Sequence, residues 1–123
     1  MQLDHITLRT QHLEVMRDFF LTVFDLEERP RPKPIQRIPG HWLYSGDEPI
    51  IHLIGSPSQP PGNHQATEAF DHVGFRLVGY DTFRAKLDRL NIRYSPMELP
   101  ELKERRLFFF TPYGHLLEAV FRD

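Results

Sequence analysis

Leu3-Asp4-His5-Ile6-Thr7-Leu8-Arg9 returns at the midpoint of the chain as Phe70-Asp71-His72-Val73-Gly74-Phe75-Arg76. The two Asp-His pairs stand 72 − 5 = 67 residues apart. Repetition at a fixed offset constrains a fold more than any local propensity does. The closing hairpins repeat as well. Trp42-Leu43-Tyr44-Ser45 falls on Phe108-Phe109-Phe110-Thr111, and Ile50-Ile51-His52-Leu53-Ile54 on Leu116-Leu117-Glu118-Ala119-Val120. Their offset is 118 − 52 = 66, one short of the first, as a single loop deletion gives. Two halves of one small domain therefore share a plan.

Each half reads as strand, helix, strand, strand, strand. Residues 3–9 alternate, with Ile6 and Leu8 on one side and His5, Thr7 and Arg9 on the other, the period of a half-buried strand. Thr10 is the expected N-cap of a helix over 11–25, whose Leu13, Met16, Phe19, Phe20, Val23 and Phe24 form one apolar stripe. Pro30, Pro32 and Pro34 rule out helix and predict an extended edge segment. Strands are expected at Trp42–Tyr44 and at Ile50–Ile54. The second half predicts a strand at 70–78, a helix near 81–91 capped by Asp81, and strands at 93–97, 107–110 and 116–121. Module 1 is thus 1–55 and module 2 is 69–123, joined by a breaker-rich linker at 56–68, all within one domain of 123 residues. Neither half buries its apolar sheet face alone, so the two are expected to pack together or to exchange with a second chain.

Composition excludes several classes. Fifteen Lys and Arg against seventeen Asp and Glu leave a net charge of −2, and the cations are scattered, which disfavours nucleic acid. The absence of cysteine removes disulfides, thiol nucleophiles and thiolate metal sites, and fits a reducing cytoplasm. The first strand pattern starts almost at Met1, so no signal peptide is expected, and no apolar run is long enough to span a bilayer. Seven histidines are more than a chain of this size needs for packing.

His5 and His72 occupy equivalent places on the opening strands, and His52 and Glu118 on the closing strands. Each interrupts an apolar pattern. A carboxylate among Leu116, Leu117, Ala119 and Val120 is costly to bury unless it is paired or bound to a cation. If a pseudo-twofold relates the halves, equivalent positions point to a common centre. Three imidazoles and one carboxylate there suit Zn, Ni, Mn or Fe(II). Two histidines with one carboxylate and open positions also form the ligand set of non-haem iron sites. Taken singly, any of these histidines reads as a satisfied core or surface group. It is their coincidence at four repeat-related positions that points to a metal.

The segments Leu3–Leu8, Phe70–Phe75 and Thr111-Pro112-Tyr113-Gly114-His115-Leu116-Leu117-Glu118 resemble the vicinal oxygen chelate superfamily, which includes glyoxalase I, methylmalonyl-CoA epimerase, fosfomycin-resistance thiol transferases, extradiol dioxygenases and bleomycin-resistance proteins. The resemblance covers nearly the whole chain, and the last segment is its most specific part. It implies an α+β fold of two paired βαβββ modules, forming a curled mixed sheet around a metal-binding cleft. His5, His72 and Glu118 match the ligands common to most metal-binding members. His52 matches a fourth position that is a ligand in some members and not in others, so it is expected as fourth ligand or as an unligated acid–base. Thr111 departs from the Asp common in that turn, which is expected to cost turn stability rather than chemistry.

Arg9 and Arg76 lie four residues beyond their histidines, so on a regular strand they share the cavity face. They are candidates for holding a substrate carboxylate or phosphate, or else exposed strand-end groups. Tyr113 is expected to close one end of the cleft or to pack at its rim. His41 and His115 read as surface or supporting groups, and His12 and His64 as solvated.

The resemblance implies a cytoplasmic metalloenzyme. Glyoxalase I proper is disfavoured, since His52 replaces the Glu usual there. The implied chemistry is bidentate chelation of a small oxygen-rich substrate to a divalent metal (Fe, Mn, Ni or Zn), of isomerase, lyase or dioxygenase type. Glu118 and His52 are then the catalytic residues, and a homodimer is the expected assembly. The alternative is a metal-free protein of the bleomycin-resistance kind, sequestering a flat ligand against Trp42 and Tyr44. Specificity is expected in loops 27–41, 55–68 and 97–106.

Overall fold

The structure, a computed structural model, describes residues 3–55 and 72–123. The chain divides into two compact units, Met1–Thr67 and Glu68–Asp123. In the first, β1 (Ile6–Thr10), α1 (Leu13–Phe24), β2 (Glu27–Arg29), β3 (Gly40–Ser45) and β4 (Glu48–Gly55) build a four-stranded sheet of order β1-β4-β3-β2. In the second, β5 (Val73–Leu77), α2 (Tyr80–Arg89), β6 (Tyr94–Leu99), β7 (Glu104–Phe110) and β8 (Leu116–Phe121) build the same sheet in the order β5-β8-β7-β6. In both, the opening strand runs parallel to the closing one and the other pairings are antiparallel. Each module thus carries its own mixed sheet and one helix, the α+β architecture that the duplication requires.

The repeat is visible in the register. Thr7 and Trp42 flank His52 in the first sheet, and Gly74 and Phe108 flank Glu118 in the second. His5 and His72 each lie two residues before the first member of those triplets. Since successive strand residues alternate in direction, the neighbours of His52 and Glu118 along each strand face the helix. Ile51, Leu53 and Leu43 are buried with Met16, Phe20 and Val23 of α1, and Leu117, Ala119, Phe121, Leu107 and Phe109 are buried as are Tyr80, Phe83 and Leu87 of α2. Phe83 meets both Phe109 and Phe121 ring to ring. Phe109 is therefore core, while Phe108 and Phe110 alternate away from it, and all three phenylalanines could not line a cleft together.

Several local expectations are corrected. Thr10 does not cap α1: its N-cap is His12, and the Thr10 hydroxyl instead accepts the His12 amide in a turn one step earlier. The apolar stripe defined the helix, but the polar residue nearest its start served the turn. Nor does Asp81 cap α2, which starts at Tyr80 behind Gly79, a glycine at φ 89° whose amide donates to Asp123 Oδ2. The three-proline stretch is extended only up to Pro32. Pro34 then sits in a short 3-10 turn, Lys33–Ile35, where its missing N–H costs nothing. Strand β7 opens at Glu104, three residues before the expected start, and its charged beginning proves central to the site. The linker 56–68, His64 and Asp71 lie outside the described residues.

Candidate functional site

The metal-competent residues come in two pairs, one in each unit. In the second, Glu118 projects from β8 and is only 4% exposed, yet its neighbours along the strand are apolar. Its Oε2 lies 2.9 Å from His72 Nε2, just before β5. Gly74 stands opposite Glu118 across the parallel pair, and an ideal Cβ there would meet Oε2 at 3.6 Å, an ordinary van der Waals distance. Two donors bound at right angles to one ion at about 2.1 Å are about 3.0 Å apart. The 2.9 Å between His72 Nε2 and Glu118 Oε2 is that of an ordinary ion-paired hydrogen bond, and it also suits two adjacent ligands of a six-coordinate divalent cation.

The other oxygen of Glu118 is engaged too. Arg106 Nη1 donates to Oε1 at 2.9 Å, from a position on β7 diagonal to Glu118 on the same sheet face. The rest of that guanidinium turns to Glu104, which is buried and also paired with Arg122. Arg106 first, and then Arg122, hold the Glu104 carboxyl below the usual carboxylate range.

In the first unit, His52 is sandwiched. Its ring stacks on His5 at 3.9 Å and on Trp42 at 4.1 Å, both with planes inclined by 13°. Histidine lone pairs lie in the ring plane, and planes so nearly parallel do not converge within a metal–ligand bond of about 2.1 Å. The stacked rings therefore present their lone pairs side by side rather than toward one point. His52 Nε2 lies 3.0 Å from the Pro49 carbonyl oxygen, and burial, followed by the nearby His5, pushes the imidazolium pKa down. His5 is differently disposed. Its Nδ1 bonds Asp4 Oδ2 at 2.6 Å, which leaves Nε2 as its ligating atom. Among the described residues, no group of three or more His, Asp or Glu side chains is assembled around one point.

Arg9 is exposed and two residues beyond Thr7, the partner of His52, so it lies on the His52 face of its sheet. Arg76, two residues beyond Gly74, stands likewise on the Glu118 face. Tyr113 is 47% exposed in the turn before β8. His41 pairs with Glu28. In loop 27–41, a cavity of about 380 Å³ is lined by Glu28, Arg29, Pro30, Arg31 and Gln36, and Arg31 Nη1 is buried with no hydrogen-bond partner among the described residues.

Thr111 supplies what its turn needs. Its hydroxyl accepts the His115 amide at 3.1 Å and lies 2.9 Å from His115 Nδ1. Burial lowers the His115 pKa from the usual 6.5. The unfolded chain therefore takes up a proton here at a higher pH than the folded one, and stability present above pH 6.5 is lost as pH falls through the folded pKa. Denaturation curves between about pH 7 and pH 5 are expected to show a shallower loss in His115→Gln than in the wild type. An equal slope would remove His115 from the acid sensitivity.

Glu104 and Arg106 were not found by sequence reasoning. Glu104-Arg105-Arg106 reads as a solvated charge run ahead of the apolar Leu107–Phe110. The available signal was the buried carboxylate itself, since Glu118 demands a cation on a neighbouring strand, and Arg106 is two residues from its cross-strand partner Phe108.

The same architecture recurs among known proteins. No curated protein sequence matches this chain. Among solved structures, a protein assigned to the glyoxalase family from Bacillus anthracis is similar over 100% of this chain and 96% of its own, at 22% identity and TM-score 0.79. A fosfomycin resistance protein from Listeria monocytogenes is similar over 98% of this chain and 93% of its own, at 17% identity and TM-score 0.71. Lactoylglutathione lyase from Agrobacterium tumefaciens is similar over 98% and 92%, at 15% identity and TM-score 0.68. At these identities the likeness is one of fold. The model of the Glyoxalase/Bleomycin resistance protein/Dioxygenase superfamily matches residues 2–119, nearly the whole sequence, and the chain belongs to that superfamily.

Proposed function

We propose that this protein is a metal-dependent enzyme acting on a small oxygen-rich molecule, of isomerase, lyase or dioxygenase type. His5, His72 and Glu118 are the residues that would hold a divalent ion, Fe, Mn, Ni or Zn. The observation that carries this reading is the His72–Glu118 pair, with a buried carboxylate oxygen 2.9 Å from an imidazole nitrogen. The duplication supports adding His5, whose position repeats that of His72. A divalent ion held there supplies Lewis acidity toward two neighbouring substrate oxygens.

His52 acts in this reading as a proton-moving group beside the ion rather than as a fourth ligand. The near-parallel stack on His5 and the contact of Nε2 with a carbonyl oxygen support that role. Trp42 holds the imidazole from its other face. Arg9 and Arg76 would receive an anionic group of the substrate, and Arg31 Nη1, without a partner among the described residues, marks a further place suited to one. Tyr113 would close the rim.

The stacked aromatic surface of Trp42, His52 and His5 also favours a second reading, metal-free sequestration of a flat ligand. Metal titration separates the two. One equivalent of Mn²⁺ per chain is expected for the wild type, with affinity cut at least about tenfold in both His5→Ala and His72→Ala. Retention of full affinity by His5→Ala would exclude a shared site, and no stoichiometric binding by the wild type would favour sequestration.

A further inference from the structure

Glu118 is gripped at both oxygens, and only one grip involves a group suited to ligate a metal. Oε2 faces His72, while Oε1 accepts from Arg106 Nη1. The remaining guanidinium nitrogens both face Glu104 Oε1, Nη2 at 2.6 Å and Nε at 3.2 Å. Glu104 is itself fixed, because Arg122 Nε donates to its second oxygen. Charges alternate along this row: Arg122, Glu104, Arg106, Glu118. Its buried members, Glu104 and Glu118, are 4% exposed each.

We propose that Arg106 and Glu104 are positioning residues for Glu118, fixing its carboxylate so that a bound metal meets Oε2 alone. The inference rests on the proposed metal-dependent function. A carboxylate free at both oxygens rotates about its terminal bond and can bind an ion through either or both. A guanidinium on Oε1 removes that freedom. Glu104 complements this: by sharing the charge of Arg106, it keeps that cation from competing with the metal for Glu118. Arg106 is not disposed to anchor substrate, since three of its nitrogens are directed at carboxylates within its own sheet.

Partners that orient ligating carboxylates typically contribute about 10–100-fold to metal affinity. Calorimetric titration of the full-length protein with Mn²⁺ is therefore expected to give about 10–100-fold weaker binding in Arg106→Ala and about tenfold in Glu104→Gln, with Arg106→Lys between Arg106→Ala and the wild type. In the Co²⁺-loaded protein, freeing Oε1 should raise the coordination number and weaken the visible d–d bands of Arg106→Ala. A purely structural role for the row would instead lower the unfolding temperature while leaving affinity and spectrum unchanged, which overturns the proposal. Tighter binding in Arg106→Ala overturns it as well, by making Arg106 a competitor. If Arg106→Ala fails to fold, the lysine and glutamine variants decide. Absence of metal from the wild type sinks the functional reading and this inference with it, whereas a metal-loaded wild type with unaffected variants sinks this inference alone.

Discussion

Glu118→Gln is expected to weaken Mn²⁺ binding by at least about a hundredfold in calorimetric titration, with the protein still folded by circular dichroism. The substitution keeps the volume and leaves an oxygen able to accept from Arg106, so packing in β8 is preserved. What it removes is the negative charge, and a neutral carboxamide oxygen holds a divalent ion less tightly than a carboxylate does. The stability cost should stay below the roughly 1.5–3 kcal/mol of a hydrogen bond to a charged group, because the bond from Arg106 is kept and only its charge assistance is lost. That cost comes from Arg106, which keeps Glu104 but loses half of its counter-charge. Unchanged affinity in a folded Glu118→Gln would make the carboxylate a structural partner of Arg106, and the metal reading would fail at its best-supported residue.

Much of this arrangement is legible in the sequence because duplication converts distant residues into equivalent ones. The offset between the Asp-His pairs reappears as matching triplets in the two sheets, with His52 between Thr7 and Trp42 and Glu118 between Gly74 and Phe108. Strand periodicity then fixes which residues face the helices. What sequence could not give is the way polar side chains are shared locally. Thr10 could cap a helix or a turn, and the backbone offered both options within three residues. Glu104 and Arg106 looked solvated because charge runs usually are, and only the register of β7 on β8 brings them to Glu118. The stack of His5, His52 and Trp42 is invisible for another reason. It depends on ring orientation, and no spacing rule specifies that.

Phe20→Ala is expected to lower the free energy of unfolding by about 3–5 kcal/mol, read from urea or thermal denaturation. Phe20 is 0% exposed and lies on α1 between Met16 and Val23, on the stripe that faces Leu43, Ile51 and Leu53. Its ring also meets Phe19 edge-on at 5.3 Å and stacks with Phe24 at 5.9 Å. Truncation removes both the transfer energy of a large apolar side chain and the contacts around the cavity it leaves. A loss of that size is a large fraction of the roughly 5–15 kcal/mol typical of whole domains. Val15, on the same helix but 46% exposed, supplies the control: Val15→Ala should change stability by no more than about 0.5 kcal/mol. The same pair of variants separates folding from ligation. Phe20 lies on the helix side of its sheet, whereas His52 and the residues aligned with it point to the other, so at a temperature where Phe20→Ala remains folded its Mn²⁺ affinity should equal that of the wild type. Affinity that fell in step with stability would mean that the ligands depend on the helical layer for their placement, and that the sheet alone does not position them.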